Sequence, residues 1–225
     1  SEQGGTSADG VGGTYPERGS TVEVQWNGES YPVTEGRCKG KVKVAVGVVA
    51  ELEVREADGG ENIDEVIQMH DRVVNAYADA RGAVRAALQL SSITNEQEAQ
   101  LTELGRAIHG VELGWAIKRN TALAKVMEDR LQGFLMRKLP GSAFNREREG
   151  KDRLARPEAL VRTYENLVAN VTALNDLAAE SGGTQGERLM DICSAKTEHF
   201  RAYRCYFIAH KYFSGASYAQ AHGLF

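Results

Sequence analysis

The period of hydrophobic and polar positions changes along the chain, and each change marks an element. Val22, Val24 and Trp26 alternate with Glu23 and Gln25, Asn27 and Gly28 follow, and the chain returns through Tyr31, Pro32 and Val33. Alternation on both sides of Asn-Gly predicts a β-hairpin, because both turn residues tolerate the positive φ values of a type I′ turn. Pro32 has no N–H to donate, which places the returning strand at an edge. A lone hairpin is marginal in water, so Val22, Val24, Trp26 and Val33 are expected to pack on a helix. Residues 37–56 read two ways: Lys39, Lys41 and Lys43 alternate with Val42, Val44, Val46 and Val48 as in a strand, yet only Gly47 interrupts the run from Lys41 to Glu56. Pattern alone leans to strand.

From Asn62 the period becomes helical. Asn62 and Glu65 form a cap pair, and Ile63, Val66, Ile67, His70, Val73, Val74, Tyr77, Val84 and Leu88 make one stripe, predicting a helix to about Leu90. Thr94 and Gln97 start a second, carried by Leu101, Leu104, Ile108, Val111, Trp115, Val126, Leu131 and Leu135 up to Pro140, as one long helix or as two broken at Gly110 or Gly114. Residues 140–156 mix charges without a stripe and predict a solvated, mobile loop. Pro157 suits the first turn of a third helix, with Leu160, Tyr164, Leu167, Val168, Val171, Leu174 and Leu177 inward. Gly182 and Gly183 stop it, and Thr184 with Glu187 reads as the capping box of a fourth helix marked by Leu189, Ile192, Phe200, Tyr203, Phe207 and Tyr212. A fifth begins at Ala216. With Arg204 at the third position of a tetratricopeptide repeat, Ile208, Ala209, Tyr212, Ala221 and Phe225 fall on its Leu, Gly/Ala, Tyr, Ala and Phe positions. The expected fold is therefore mainly α, an α-solenoid of tetratricopeptide-like helical hairpins over 21–225 with a short N-terminal β-hairpin at 21–34.

Composition adds boundaries. Residues 1–20 hold six of the 24 glycines and predict a flexible leader, one that does not satisfy GxGxxG because Tyr15 stands three beyond Gly12. The chain opens on Ser1 and stops at Phe225, and reads as a piece of a longer protein. With 42% hydrophobic and 26% charged residues the balance is globular, and no apolar run approaches the roughly 18 residues of a membrane helix. Cys38, Cys193 and Cys205 are odd in number and lack CxxC spacing, which speaks against a disulfide framework or a zinc site and for a reducing compartment.

Catalysis needs converging polar groups, and no spacing here supplies them. His70 lies on an apolar stripe; His109, His199, His210 and His222 are scattered. Cys205 sits among aromatics, where a thiol acts as a small hydrophobe. The aromatic run Phe200, Tyr203, Tyr206, Phe207, Tyr212 and Phe213 reads as core at helical spacing rather than as a base-stacking surface, so Tyr212→Ala is expected to cost about 3–5 kcal/mol. No catalytic, cofactor or metal residue is assigned. Charge is unevenly spread: residues 51–104 carry a net −8 and residues 113–156 a net +6, within a chain of net −4. The basic segment holds Lys118, Arg119, Lys125, Arg130, Arg137, Lys138, Arg146, Arg148, Lys151, Arg153 and Arg156. It is either a solvated surface or a face for a polyanion, and Lys118, Arg119, Arg137, Lys138, Arg146 and Arg148 are the candidate RNA or partner contacts.

Four segments carry a resemblance: Glu23 to Val33, with its W-x-G-x-x-x-P-V order; Ala116-Ile-Lys-Arg-Asn120; Arg156 to Tyr164; and Phe200-Arg-Ala-Tyr-Arg-Cys-Tyr-Phe-Ile-Ala209. Together they resemble the 68-kilodalton subunit of the eukaryotic signal recognition particle from roughly Thr21 to Phe225. The resemblance implies that residues 37–56 are helical, a reading adopted over the alternation because context overrides valine propensity. It implies the middle region of that subunit, downstream of an N-terminal RNA-binding domain and upstream of the segment that holds the 72-kilodalton subunit. It further implies a non-catalytic scaffold without cofactor, GTPase motif, small-molecule substrate or membrane insertion. Its implied partners are the particle's RNA, mainly through that N-terminal domain of the intact protein, the 72-kilodalton subunit and other particle components, in cotranslational targeting of secretory proteins to the endoplasmic reticulum. The implied location is the cytoplasm, with nucleolar assembly and association with the endoplasmic reticulum. The rival from the residues alone is a stand-alone RNA-binding helical module acting through 113–156; a helical enzyme rests on no motif.

Overall fold

A computed structural model describes residues 22–58, 62–90, 93–137 and 156–224. The predicted glycine-rich leader and nearly all of the predicted loop at 140–156 lie outside these residues. Strands β1 (Val22–Trp26) and β2 (Glu29–Val33) pair antiparallel, with Val22 opposite Val33 and Trp26 opposite Glu29. The turn between them holds Asn27 at φ 52° and Gly28 at φ 81°, the left-handed pair that Asn-Gly was expected to adopt. Val22, Val24, Trp26 and Val33 are buried. Helices α1 (Gly36–Asp58), α2 (Ile63–Leu88), α3 (Asn95–Arg137), α4 (Pro157–Ser181), α5 (Gly183–Ser214) and the short α6 (Tyr218–His222) follow. The chain is mainly α, as expected.

Residues 37–56 are helical, against the strand-like alternation. Cys38, Val42, Ala45 and Leu52 are buried, with Val49 packed against them, a four-three spacing that places them on one helical face. Val44, at 59% exposure, and Val54, at 56%, point outward. Of the alternating valines, Val42 is buried and Val48 packs against the core, whereas Val44 and Val46 face outward, so the period-two signal joins residues from both faces of the helix.

α3 runs unbroken for 43 residues, about 65 Å at 1.5 Å per residue, which resolves the one-or-two question. It lasts because it has two partners. Leu101, Leu104, Ala107 and Ile108 join the hairpin, α1 and α2 in one core, whereas Ile117, Ala124, Met127 and Leu131 join α4 and α5 in a second. Its start is the predicted capping box: the Thr94 amide donates to Gln97 Oε1 at 3.0 Å, and the Gln97 amide donates to Thr94 Oγ1 at 3.3 Å.

Each helix packs against the next in sequence, and cross-contacts show that neighbours are antiparallel: Lys41 meets Asp79 while Glu51 meets Arg72, and Asp71 meets Arg119 while Asp64 meets Arg130. This is the stacked order of a helical array, built from helices longer than a 34-residue repeat can hold in pairs.

Other expectations need correction. The Asn62 side chain accepts from the Asp64 amide rather than pairing with Glu65. Thr184 lies inside the first turn of α5 and makes no cap bond; Gly182 and Gly183, at φ 63° and 67°, reverse the chain so tightly that one residue separates α4 from α5. The aromatic run on α5 is core only in part. Gly186, Cys193, Phe200 and Phe207, seven apart, form the buried seam against α4. Tyr203, Tyr206, Tyr212 and Phe213 are 38–56% exposed, so the large loss expected for Tyr212→Ala does not follow. Of the repeat-like positions in the tail, Ala209 and Ala221 are buried as small residues at a close helix contact should be.

Candidate nucleic-acid interface

The acidic segment folds as α1 and α2 with the start of α3, and much of the basic segment lies in the second half of α3, so the two charge blocks meet where α2 packs on α3. Arg119 places Nε 2.8 Å from Asp71 Oδ1 and donates a second N–H to Asn120 Oδ1, also at 2.8 Å. Arg130 reaches Asp64 at 3.3 Å. Eleven residues separate these arginines, three helical turns, which is why both face α2. Each pair is part-exposed and contributes about 0–1 kcal/mol. Part of the +6 read from the sequence is therefore committed inside the protein.

Lys118 and Lys125, seven residues apart, share another face of α3 and are exposed. The Lys118 ammonium lies 4.0 Å over the Trp115 ring centroid. Neither lysine pairs with an acid among the described residues. Arg137 ends α3, and Lys138, Arg146, Arg148, Lys151 and Arg153 lie outside the described residues.

Arg156 acquires neighbours that the sequence did not suggest. It precedes Pro157 at the start of α4, where no side chain caps the free amides. With Arg162 and Lys211 it flanks a cleft of about 860 Å³ whose apolar wall includes Leu123 and Met127, and among the described residues Glu158 is the one carboxylate lining it. A smaller cleft of about 240 Å³ also draws on Arg162 and Lys211, beside Ile208 and Tyr212, with Glu158 and Glu165 as its acids. Three cations and the positive end of a helix dipole converge there. Arg162 and Lys211 were overlooked because they lie outside the basic block, on helices read for their apolar stripes. The available signal was a helix opening on Arg156-Pro157 with one acid in its first turn.

Several groups that could perform chemistry are buried. Burial, reinforced by a hydrogen bond to Glu35, pushes the Cys38 thiol up to about 12, far from thiolate. Burial also raises the Cys193 thiol. His70 is buried, with Nε2 3.5 Å from Glu56 and its ring 5.7 Å from that of Trp115; burial holds the imidazole below its usual value, towards the neutral form. Tyr164 donates its hydroxyl to Glu128 and stacks on Tyr203 and Phe207, joining α3, α4 and α5; burial and that carboxylate raise its pKa. Among the described residues no three metal-ligating side chains converge, and no helix is long and apolar enough to cross a membrane.

No solved structure matches the chain. Basic side chains gathered on a helical array suit a polyanion-binding surface. The sequence comparison agrees: the family model described as RNA-binding signal recognition particle 68 matches residues 2–225, and the chain belongs to that family.

Proposed function

We propose that this chain is a non-catalytic scaffold that holds the particle's RNA by its backbone and supports assembly with the 72-kilodalton subunit, for delivery of secretory proteins to the endoplasmic reticulum from the cytoplasm. The observation that carries the RNA contact is the convergence of Arg156, Arg162 and Lys211 on one cleft with a single acid among the described residues. Lys118 and Lys125 add a second basic face on α3. Guanidinium and ammonium groups at these positions can meet phosphates without reading bases, so affinity comes from counterion release and the rigid array sets orientation. Arg119 and Arg130 serve chiefly to join α2 to α3.

The test is a gel shift against the particle's RNA at two salt concentrations. Arg156→Glu, Arg162→Glu and Lys211→Glu combined should reduce the salt slope by about three and weaken binding at low salt by at least about tenfold, with helical content unchanged. Equal binding by wild type and the triple variant would refute this contact surface. The assembly role is checked by co-purification with the 72-kilodalton subunit; failure of the full-length protein to capture it would refute that part.

A further inference from the structure

The chain's two tryptophans, Trp26 and Trp115, line one cleft. It measures about 320 Å³ and lies where the hairpin turn, α3, α4 and α5 meet. Gly110 and Gly114 form part of its α3 wall, and Leu174 and Leu189 contribute apolar walls from α4 and α5. Its polar side chains are Asn27 and Lys118; among the described residues no carboxylate lines it, although the chain as a whole is acidic. The size is at the low end for ligand sites, too small for a helix and adequate for one planar ring system.

We infer that this cleft receives a single unstacked base of an RNA strand, with Lys118 taking the adjoining phosphate. This rests on the reading of the chain as an RNA-binding subunit. Lys118 is exposed and its ammonium lies 4.0 Å over the Trp115 ring, in the place where a stacked base would lie. A base entering there exchanges a cation–π contact for ring stacking and releases the flexible lysine toward the phosphate attached to that base. The Asn27 amide, which both donates and accepts, sits at the cleft's hairpin side and can meet a base edge. Charge complementarity selects the occupant: an acid-free aromatic cleft beside a mobile cation suits an anionic strand bearing π-faces better than a neutral apolar peptide. Gly114 keeps the space open. A Cβ added there has no protein atom within 4 Å, so a larger side chain would fill the cleft without displacing the fold.

Because both tryptophans line the cleft, intrinsic fluorescence reports its occupancy without a label. The intact chain is titrated with a short single-stranded oligoadenylate and with a blunt RNA duplex, alongside Gly114→Leu and Lys118→Gln. The inference expects saturable quenching by the single strand and none by the duplex. It also expects about tenfold weaker single-strand binding for Gly114→Leu, at an unfolding midpoint no lower than that of wild type, and a shallower salt slope for Lys118→Gln. Absence of quenching, or equal affinity in Gly114→Leu, overturns it. If Gly114→Leu still shifts the particle's RNA as wild type does while the single strand gives no quenching, the base site falls and the RNA-binding reading stands. If the wild-type chain binds neither RNA, both fall.

Discussion

Two glycines one turn apart on α3 should respond to the same substitution with opposite signs. At Gly110 an added Cβ would lie 2.1 Å from Trp26 Nε1, 2.2 Å from Cε2 and 2.8 Å from Cδ1. Non-bonded heavy atoms settle at about 3.5–4.0 Å, so the indole must retreat by more than about 1 Å or the hairpin must lift. Trp26 is 8% exposed and held by β1, so neither movement is free. An overlap this deep costs about 2–4 kcal/mol, between the upper range of ordinary overpacking and the complete loss of a tryptophan's packing. Alanine's better helix propensity returns about 1 kcal/mol. Gly110→Ala should therefore destabilise by about 1–3 kcal/mol net, or very roughly 2–12 °C in Tm for a chain of this size. At Gly114 no atom lies within 4 Å of the added Cβ, and only the propensity gain of about 0.5–1 kcal/mol remains. Urea unfolding followed by far-UV circular dichroism measures both. A Gly110→Ala variant as stable as wild type would show that Trp26 does not rest on α3 as described, and shifts of the same sign in both variants would remove the steric explanation.

On α5, Phe207→Ala should lose about 3–5 kcal/mol because its ring lies in the seam with Tyr164, whereas Tyr212→Ala, 40% exposed, should lose less than about 1 kcal/mol. Similar losses in urea titrations would refute the division of the aromatics into seam and surface. Burial holds the His70 imidazole below its ordinary 6.5, with Lys118 acting in the same sense and Glu56 and Asp71 opposing, and burial does the same to His109 with help from Arg81. As the pH falls through 6.5 the unfolded chain takes up protons that the folded chain refuses, so these groups lower stability in that window and leave it level above. His70→Gln should flatten part of this slope in urea midpoints measured between about pH 7.5 and about pH 5; an unchanged slope would refute the assignment.

Local order was legible where neighbouring residues suffice to specify it. Asn27-Gly28 dictates the turn because few other residues accept its backbone angles, Thr94 and Gln97 satisfy one another's amides, and Pro157 starts α4 because its missing N–H is not needed there. The helical state of α1 was not legible from its own pattern, which leaned to strand. The alternation joined buried Val42 to exposed Val44 and Val46, and a resemblance to a known family had to override it; the core selects Cys38, Val42, Ala45 and Leu52 only once α2 lies against them.

The candidate interface divides in the same way. Composition located a basic block, since charge is a property of sequence alone. Which cations remain free is decided by partners far along the chain: Arg119 is met by Asp71, 48 residues away, and Arg130 by Asp64, 66 residues away, while Arg162 and Lys211 arrive beside Arg156 through the packing of α4 on α5. Thus the sequence by itself determined the hairpin turn, the starts of α3 and α4 and the sign of each segment's charge, because these depend on residues within a turn or two. Tertiary structure decided the burial seams, the tryptophan cleft and the surviving basic surface, because each arises from contacts between helices whose spacing no local period records.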